Sequence, residues 1–115
     1  MAKHDPELSL IFQALSDPTR RSMLVRMGQE AVAVSDLAAP TGLRLPTVMR
    51  HLSVLEEARL IVTEKQGRTR MCRAVPQTLG VVNDWLQAAR QEWEARTDRL
   101  DAFAQALEDA NDPEP

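Results

Sequence analysis

The run Pro46-Thr47-Val48-Met49-Arg50-His51-Leu52-Ser53 carries the side chains best suited to reading a nucleic acid. A planar guanidinium such as that of Arg50 can bond guanine O6 and N7 together, and the Thr47 methyl or Met49 can touch a thymine methyl. Ser53 adds a short hydroxyl, and Arg44 stands just ahead of the run. His51 lies nearer the buried face by helical geometry, so a phosphate contact or a hydrogen bond within the protein stands beside base reading as its role. Further along, Lys65, Arg68 and Arg70 crowd a short stretch that holds Gly67. Cations grouped this way suit phosphate, which fixes position on a duplex without specifying sequence. Cys72 is the candidate for redox chemistry, because Arg68, Arg70 and Arg73 beside it would favour thiolate. Against that reading, a small residue in a hairpin is usually packing, and the chain has no second cysteine to resolve an oxidised sulfur.

These side chains need elements to aim them. Leu8, Ile11, Phe12 and Leu15 fall at helical spacing and predict a first helix over 7–15. Asp17-Pro18 ends it and opens a second, with Asp17 as cap, Pro18 in the first turn and Gly28 as the stop. After an extended Val32-Ala33-Val34, Ser35 or Asp36 caps a brief third helix that Pro40 and Gly42 close. A fourth runs from Pro46 to about Arg59, with Val48, Leu52 and Leu55 on one face and Arg50, Ser53 and Glu57 turned away. Two short helices joined by a glycine-containing turn predict a helix-turn-helix. Residues 61–65 and 68–75 read as strands about a Gln66-Gly67 turn, forming a hairpin wing. From Leu79 to about Ala110 a long helix repeats Leu79, Leu86, Trp93, Leu100 and Leu107 every seventh residue, with Val82, Ala89, Arg96 and Phe103 in the other seam position. Arg96 interrupts that seam and is expected near Asp98 or Asp101. Leu79, Val82, Leu86, Trp93, Leu100 and Phe103 are the expected dimer contacts of this helix. The expected organisation is one winged domain over 1–110 with a disordered tail over 111–115.

Composition agrees with a mostly α fold: the 115 residues are 43% hydrophobic but only 3% aromatic, with no Tyr. No apolar run approaches the length of a membrane span, and the opening Met-Ala-Lys-His-Asp-Pro lacks the cationic and apolar regions of a secretory leader, so a cytoplasmic location is expected. The net charge of −3 hides a division along the chain. Residues 44–73 hold seven basic and three acidic side chains, whereas 79–115 hold three and nine. A polyanion docking on the middle segment would feel its local field more than that of a distant acidic helix, because screening sets in over roughly 8 Å. The segment is therefore suited to double-stranded DNA.

The segments Phe12-Gln13-Ala14-Leu15-Ser16-Asp17-Pro18-Thr19-Arg20-Arg21, Ser35-Asp36-Leu37-Ala38, Pro46 through Ala58, and Gly67-Arg68 together resemble the ArsR/SmtB family of winged-helix repressors in order and spacing. The resemblance covers roughly residues 7–107. It implies a homodimer held by the first and last helices, with Leu8 and Ile11 as the contacts of the first, binding a near-palindromic operator until an inducer lowers its affinity. Arg44 and Met49 stand where the family commonly has Ser, and an Arg at the presumed helix cap leaves a backbone donor without its usual acceptor.

The resemblance also frames what is missing. Soft-metal members carry Cys-x-Cys beside the third helix, and here the stretch is Ala33-Val34-Ser35, so no metal site or cofactor is expected. The chain is closer to members that lack that site and share Trp85-Leu86, Arg90, Trp93-Glu94 and Arg96. The inducer is not readable. An enzyme is not expected, since there is no Cys/His cluster, no phosphate-cradling glycine loop and no G-x-S-x-G. The competing reading is a winged-helix module that docks proteins, because fold does not fix function.

Overall fold

A computed structural model describes residues 6–111. In chain order the elements are α1 (Pro6–Leu15), α2 (Pro18–Met27), β1 (Val32–Ala33), α3 (Val34–Ala38), a 3-10 turn (Ala39–Thr41), α4 (Leu45–Glu57), β2 (Ile61–Gln66), β3 (Thr69–Ala74) and α5 (Pro76–Asn111). They fall into two compact units, Met1–Val82 and Asn83–Pro115. The expected tail begins at Asn111, which instead closes α5, and 112–115 lie outside the described residues.

The first unit is built on an apolar core of Ile11, Met23, Met27, Leu37, Val48, Leu52, Leu55, Leu60 and Ile61. These residues come from α1, α2, α3, α4 and the start of the hairpin, so each helix contributes one stripe at the 3.6-residue repeat. Leu15, Val54, Val81 and Val82 pack around that cluster, half-buried. Ile11, expected at a dimer surface, is fully buried here. It sits on the α1 face that the domain's own core occupies and is not available to a second copy.

Local chemistry sets the element ends. Asp17 caps α2 by accepting from the backbone N–H of Thr19 at 2.8 Å and of Arg20 at 3.1 Å. Those bonds, the Arg20 one first, hold its carboxyl below the usual carboxylate range against the opposing effect of desolvation. The expected cap of α3 at Ser35 or Asp36 is not used: α3 starts at Val34 after Ala33, with no side-chain cap. The turn into α4 needs Gly42 at φ 67, and Thr41 Oγ1 ties it by donating to Ala38 O and accepting from Leu43 N. At the far end α4 stops on Arg59 at φ 62, with Leu60 N bonding Leu55 O at 3.0 Å. This is a Schellman-type closure. Its left-handed residue is an arginine that costs about 1–2 kcal/mol relative to a right-handed one. Buried Leu60 and a hydrogen bond from Thr78 Oγ1 to Arg59 O hold it there.

The sheet is antiparallel with order β1-β3-β2. The short extended segment before α3 proves to be a third strand, with Val32 opposite Cys72 and Ala33 opposite Met71. In the hairpin Ile61 faces Ala74 and Gln66 faces Thr69. The two-residue loop is therefore Gly67-Arg68, one residue later than the expected turn, with Gly67 at φ 64. α5 starts at Pro76, before the expected Leu79, because the residue that ends a strand ladder is well placed in a helix's first turn.

The second unit is the body of α5. Two exposed ion pairs line it, Arg90 to Glu94 at 2.9 Å and Arg96 to Glu92 at 3.6 Å. The partner of Arg96 is thus the residue one turn before it, not Asp98 or Asp101. Leu86, Trp93, Leu100, Phe103 and Leu107 are all exposed, Trp93 at 71%. No helix among the described residues is long and apolar enough to cross a membrane.

Candidate nucleic-acid interface

α4 is pinned through Val48, Leu52 and Leu55, which are almost entirely enclosed, and this fixes what the opposite face presents. Arg44, Met49, Arg50 and Ser53 are exposed, while Thr47 and His51 are half-buried at its edge. Arg44 takes the N-cap position at φ −70 and ψ 150 with no side-chain cap bond, as the sequence predicts. Its carbonyl accepts from Thr47 N and Val48 N, so the helix begins without the carboxylate or hydroxyl that usually covers such an end. A positive backbone end flanked by arginine favours an anion.

The wing stands on the next two strands. Lys65, Arg68 and Arg70 are exposed, with Arg68 in the loop and Lys65 directly opposite Arg70. Two like charges on a cross-strand pair repel, and a polyanion laid along the hairpin removes that cost. Arg70 is also tied inward: Nη1 donates to Thr63 Oγ1 at 2.8 Å, and that hydroxyl donates to Glu56 Oε2 at 2.9 Å. The relay joins the wing to α4 across a groove lined by Met49, Leu52, Ser53, Glu56, Thr63 and Arg70. Lys65 and Arg68 are consequently the freer cations, and Arg70 braces the angle between wing and helix. Sequence spacing gives no sign of Thr63 or Glu56, because the relay exists only once the hairpin folds back on α4.

His51 makes a hydrogen bond within the protein. Its Nδ1 lies 3.1 Å from Arg20 Nη1. Arg20 is the residue the sequence pattern missed: it sits in the first turn of α2 and spans three elements. Cys72 takes the packing role weighed for it. It is fully buried opposite Val32 and Thr63. Burial pushes its thiol pKa up, and the Arg70 charge only partly offsets this, so the arginines do not make a reactive thiolate. Among the described residues no three His, Cys, Asp or Glu side chains gather as a metal site would require.

Of the expected dimer contacts, Leu79, Leu86, Trp93, Leu100 and Phe103 are exposed, and Leu8 and Val82 are half-buried. Only Ile11 is lost to the core.

Comparison with known proteins agrees with this geometry. A family described as a helix-turn-helix domain matches residues 15–64, which run from the end of α1 into β2. The HTH-type transcriptional regulator Rv2034 of Mycobacterium tuberculosis is 32% identical over 101 residues, spanning 88% of this chain and 89% of that protein. The crystal structure of an ArsR family transcriptional regulator superposes with a TM-score of 0.77 at 41% identity, covering 82% of this chain and 97% of that one. A homodimeric winged helix-turn-helix DNA-binding domain, Mb0332 of Mycobacterium bovis, gives a TM-score of 0.60 at 20% identity over 84% of this chain and 95% of its own, a likeness of fold.

Proposed function

The chain belongs to the ArsR family of winged helix-turn-helix transcriptional regulators, and from that premise we propose that it works in the cytoplasm as a homodimeric repressor of a near-palindromic operator. α4 enters the major groove, with Arg50 as the principal base reader, Thr47, Met49 and Ser53 beside it and Arg44 on the backbone. Lys65 and Arg68 follow the adjoining phosphates or reach into a minor groove. The observation that carries this reading is the pairing of an uncapped, arginine-rich helix face with a cationic hairpin on one continuous stretch, 44–73, in an otherwise acidic chain.

Dimerisation is part of the proposal. Leu79, Leu86, Trp93, Leu100 and Leu107 stand at seven-residue spacing, exposed and apolar, which is the seam two helices share in a coiled coil. An unpaired apolar surface of that extent is costly in water. A symmetric dimer then presents two reading helices to two half-sites, which accounts for the expected palindrome.

The inducer is not a soft metal held by thiolates, because Ala33 and Ser35 stand in place of the Cys-x-Cys pair. The experiment is a gel-shift titration on the DNA upstream of the protein's own gene, with excess unrelated duplex as competitor. A shifted band that survives the competitor supports the repressor. Binding that competitor removes completely, or none at all, would leave the protein-docking module as the better reading.

A further inference from the structure

Arg20 makes bonds to two other helices from one guanidinium. Nε donates to Ala14 O at 2.7 Å and Nη2 to Gln13 O at 3.1 Å, both at the C-terminal end of α1. Those carbonyls belong to the last turn of α1, where Gln13 O also accepts from Ser16 N and Oγ, so a cation there is held by hydrogen bonds and by the helix dipole together. With two edges of a rigid plane fixed, the direction of the remaining Nη1 is fixed as well, and it meets His51 Nδ1 at 3.1 Å.

A guanidinium stays protonated and only donates. The atom it meets must therefore offer a lone pair. Nδ1 of His51 fills that role in the tautomer whose proton sits on Nε2. Nε2 has no protein acceptor among the described residues, and no buried side-chain nitrogen or oxygen lacks a partner. Nε2–H is thus open to solvent on α4, one residue from Arg50 and one turn from Thr47. Asp17 is the nearby acid, and its carboxylate is occupied by the amides of Thr19 and Arg20.

We propose that Arg20 is a positioning residue for DNA binding: it holds His51 in one tautomer and one orientation so that Nε2–H donates to a DNA phosphate. The inference rests on the reading of α4 as the DNA-facing helix. It adds a contact that does not depend on base sequence and that is aimed from α1 and α2. Because α1 supplies the two carbonyls that fix Arg20, the contact is also sensitive to where the end of α1 lies.

The test has two arms. In the DNA-free protein, long-range proton–nitrogen-15 NMR of the His51 ring at slightly alkaline pH separates a lone-pair nitrogen from an N–H; the expected result is a lone pair on Nδ1 and a proton on Nε2. A proton on Nδ1, or averaged shifts for the two nitrogens, would overturn the proposal whatever the protein does with DNA. The second arm measures affinity for an unrelated duplex by fluorescence anisotropy, since a phosphate contact is sequence-blind. His51→Gln, whose amide nitrogen reaches the place of Nε2 but which offers Arg20 no acceptor at the place of Nδ1, loses about fivefold, whereas the shorter His51→Asn, which cannot reach the phosphate, loses about tenfold, the scale of one hydrogen bond to a charged group. Arg20→Gln loses about fivefold alone and nothing more in the His51→Asn background, as expected of two residues acting as one unit. A role confined to clamping α1 would instead cost the same in both backgrounds, and that result contradicts the proposal. The His51 variants leave the α1 carbonyl bonds untouched, so they decide the question even if Arg20→Gln folds poorly.

Discussion

Leu55 and Trp93 are both large apolar residues on long helices, yet Leu55 is fully enclosed and Trp93 is 71% exposed. The contrast extends to their surroundings. Residues 6–82 bury their main apolar stripes internally: α1 to α4 and the hairpin share one core with the start of α5 packed against it, although single apolar side chains such as Val25 and Leu45 stay exposed. Residues 83–111 carry an equally regular stripe whose large apolar members, Leu86, Trp93, Leu100, Phe103 and Leu107, are exposed. The first region has the ingredients of stability within itself, and the second has them only if a second chain supplies the other half. A helix whose exposed ion pairs are each worth a few tenths of a kcal/mol is not kept in place by them. The same division runs through the proposed function, since one region carries the side chains assigned there to DNA and the other carries the surface that would bring two such regions together.

The comparison breaks most visibly in α5. Changing both Leu86 and Leu100 to Glu places four carboxylates in a shared seam, and sedimentation equilibrium should then show monomer or aggregate where the parent shows dimer. Affinity for a two-half-site operator should fall by on the order of a hundredfold or more, because the second half-site is no longer bound intramolecularly. A parent protein that sediments as a well-folded monomer at micromolar concentration would refute the account of this region.

In the first region the largest effect is on folding. Leu55→Ala removes a fully buried side chain and should cost about 2–5 kcal/mol in urea unfolding, with the spread set by how far the cavity collapses. The same truncation at Leu100, exposed in a single chain, should leave the stability of the first region unchanged and act only on dimerisation.

Smaller effects separate the wing's cations. Arg68→Ala should weaken operator and unrelated DNA alike and lower the salt slope of binding by about one. Arg70→Ala should do this less cleanly, since it also cuts the Arg70–Thr63–Glu56 relay that sets the wing against α4. Thr63→Val, which removes the relay and no charge, isolates that part: operator affinity should drop while the salt slope stays put.

The smallest expected effect is none. Operator affinity measured with and without micromolar Zn²⁺, Cd²⁺ or arsenite should be the same, because a ligand without differential affinity for the two states shifts nothing. A tenfold loss that vanishes in Cys72→Ser would make the buried thiol a sensor. In the native protein that thiol should also react slowly with a disulfide reagent, consistent with its raised pKa.

Much of the first region was legible in the residues because its signals are local. Asp17-Pro18 as cap and first turn, the glycine at 42, the stripe of Val48, Leu52 and Leu55, and the wing around Gly67 all depend on neighbours within a few positions. What was not legible depends on contacts between distant segments. Val32–Ala33 becomes a strand only because β3 lies beside it. Arg59 ends α4 in a conformation normally given to glycine because Leu60 and Thr78 hold it. For Cys72 the flanking charges suggested thiolate and the hairpin suggested packing, and its fully buried position, which sequence does not display, decides for packing. Arg20, a polar residue in a helix's first turn, looks like surface until the end of α1 and the His51 ring arrive on either side of it.

The claim on which the rest depends is that the exposed face of α4 reads DNA through Arg50. Competition anisotropy tests this with the parent and Arg50→Ala against a set of operator variants, each changed at one base pair in both half-sites. The parent should discriminate at the Arg50 position by about 1–3 kcal/mol per contact, and Arg50→Ala should lose preference there while keeping it at every other position. Relative affinities unchanged across the whole set would mean that another face, or another element, meets the bases.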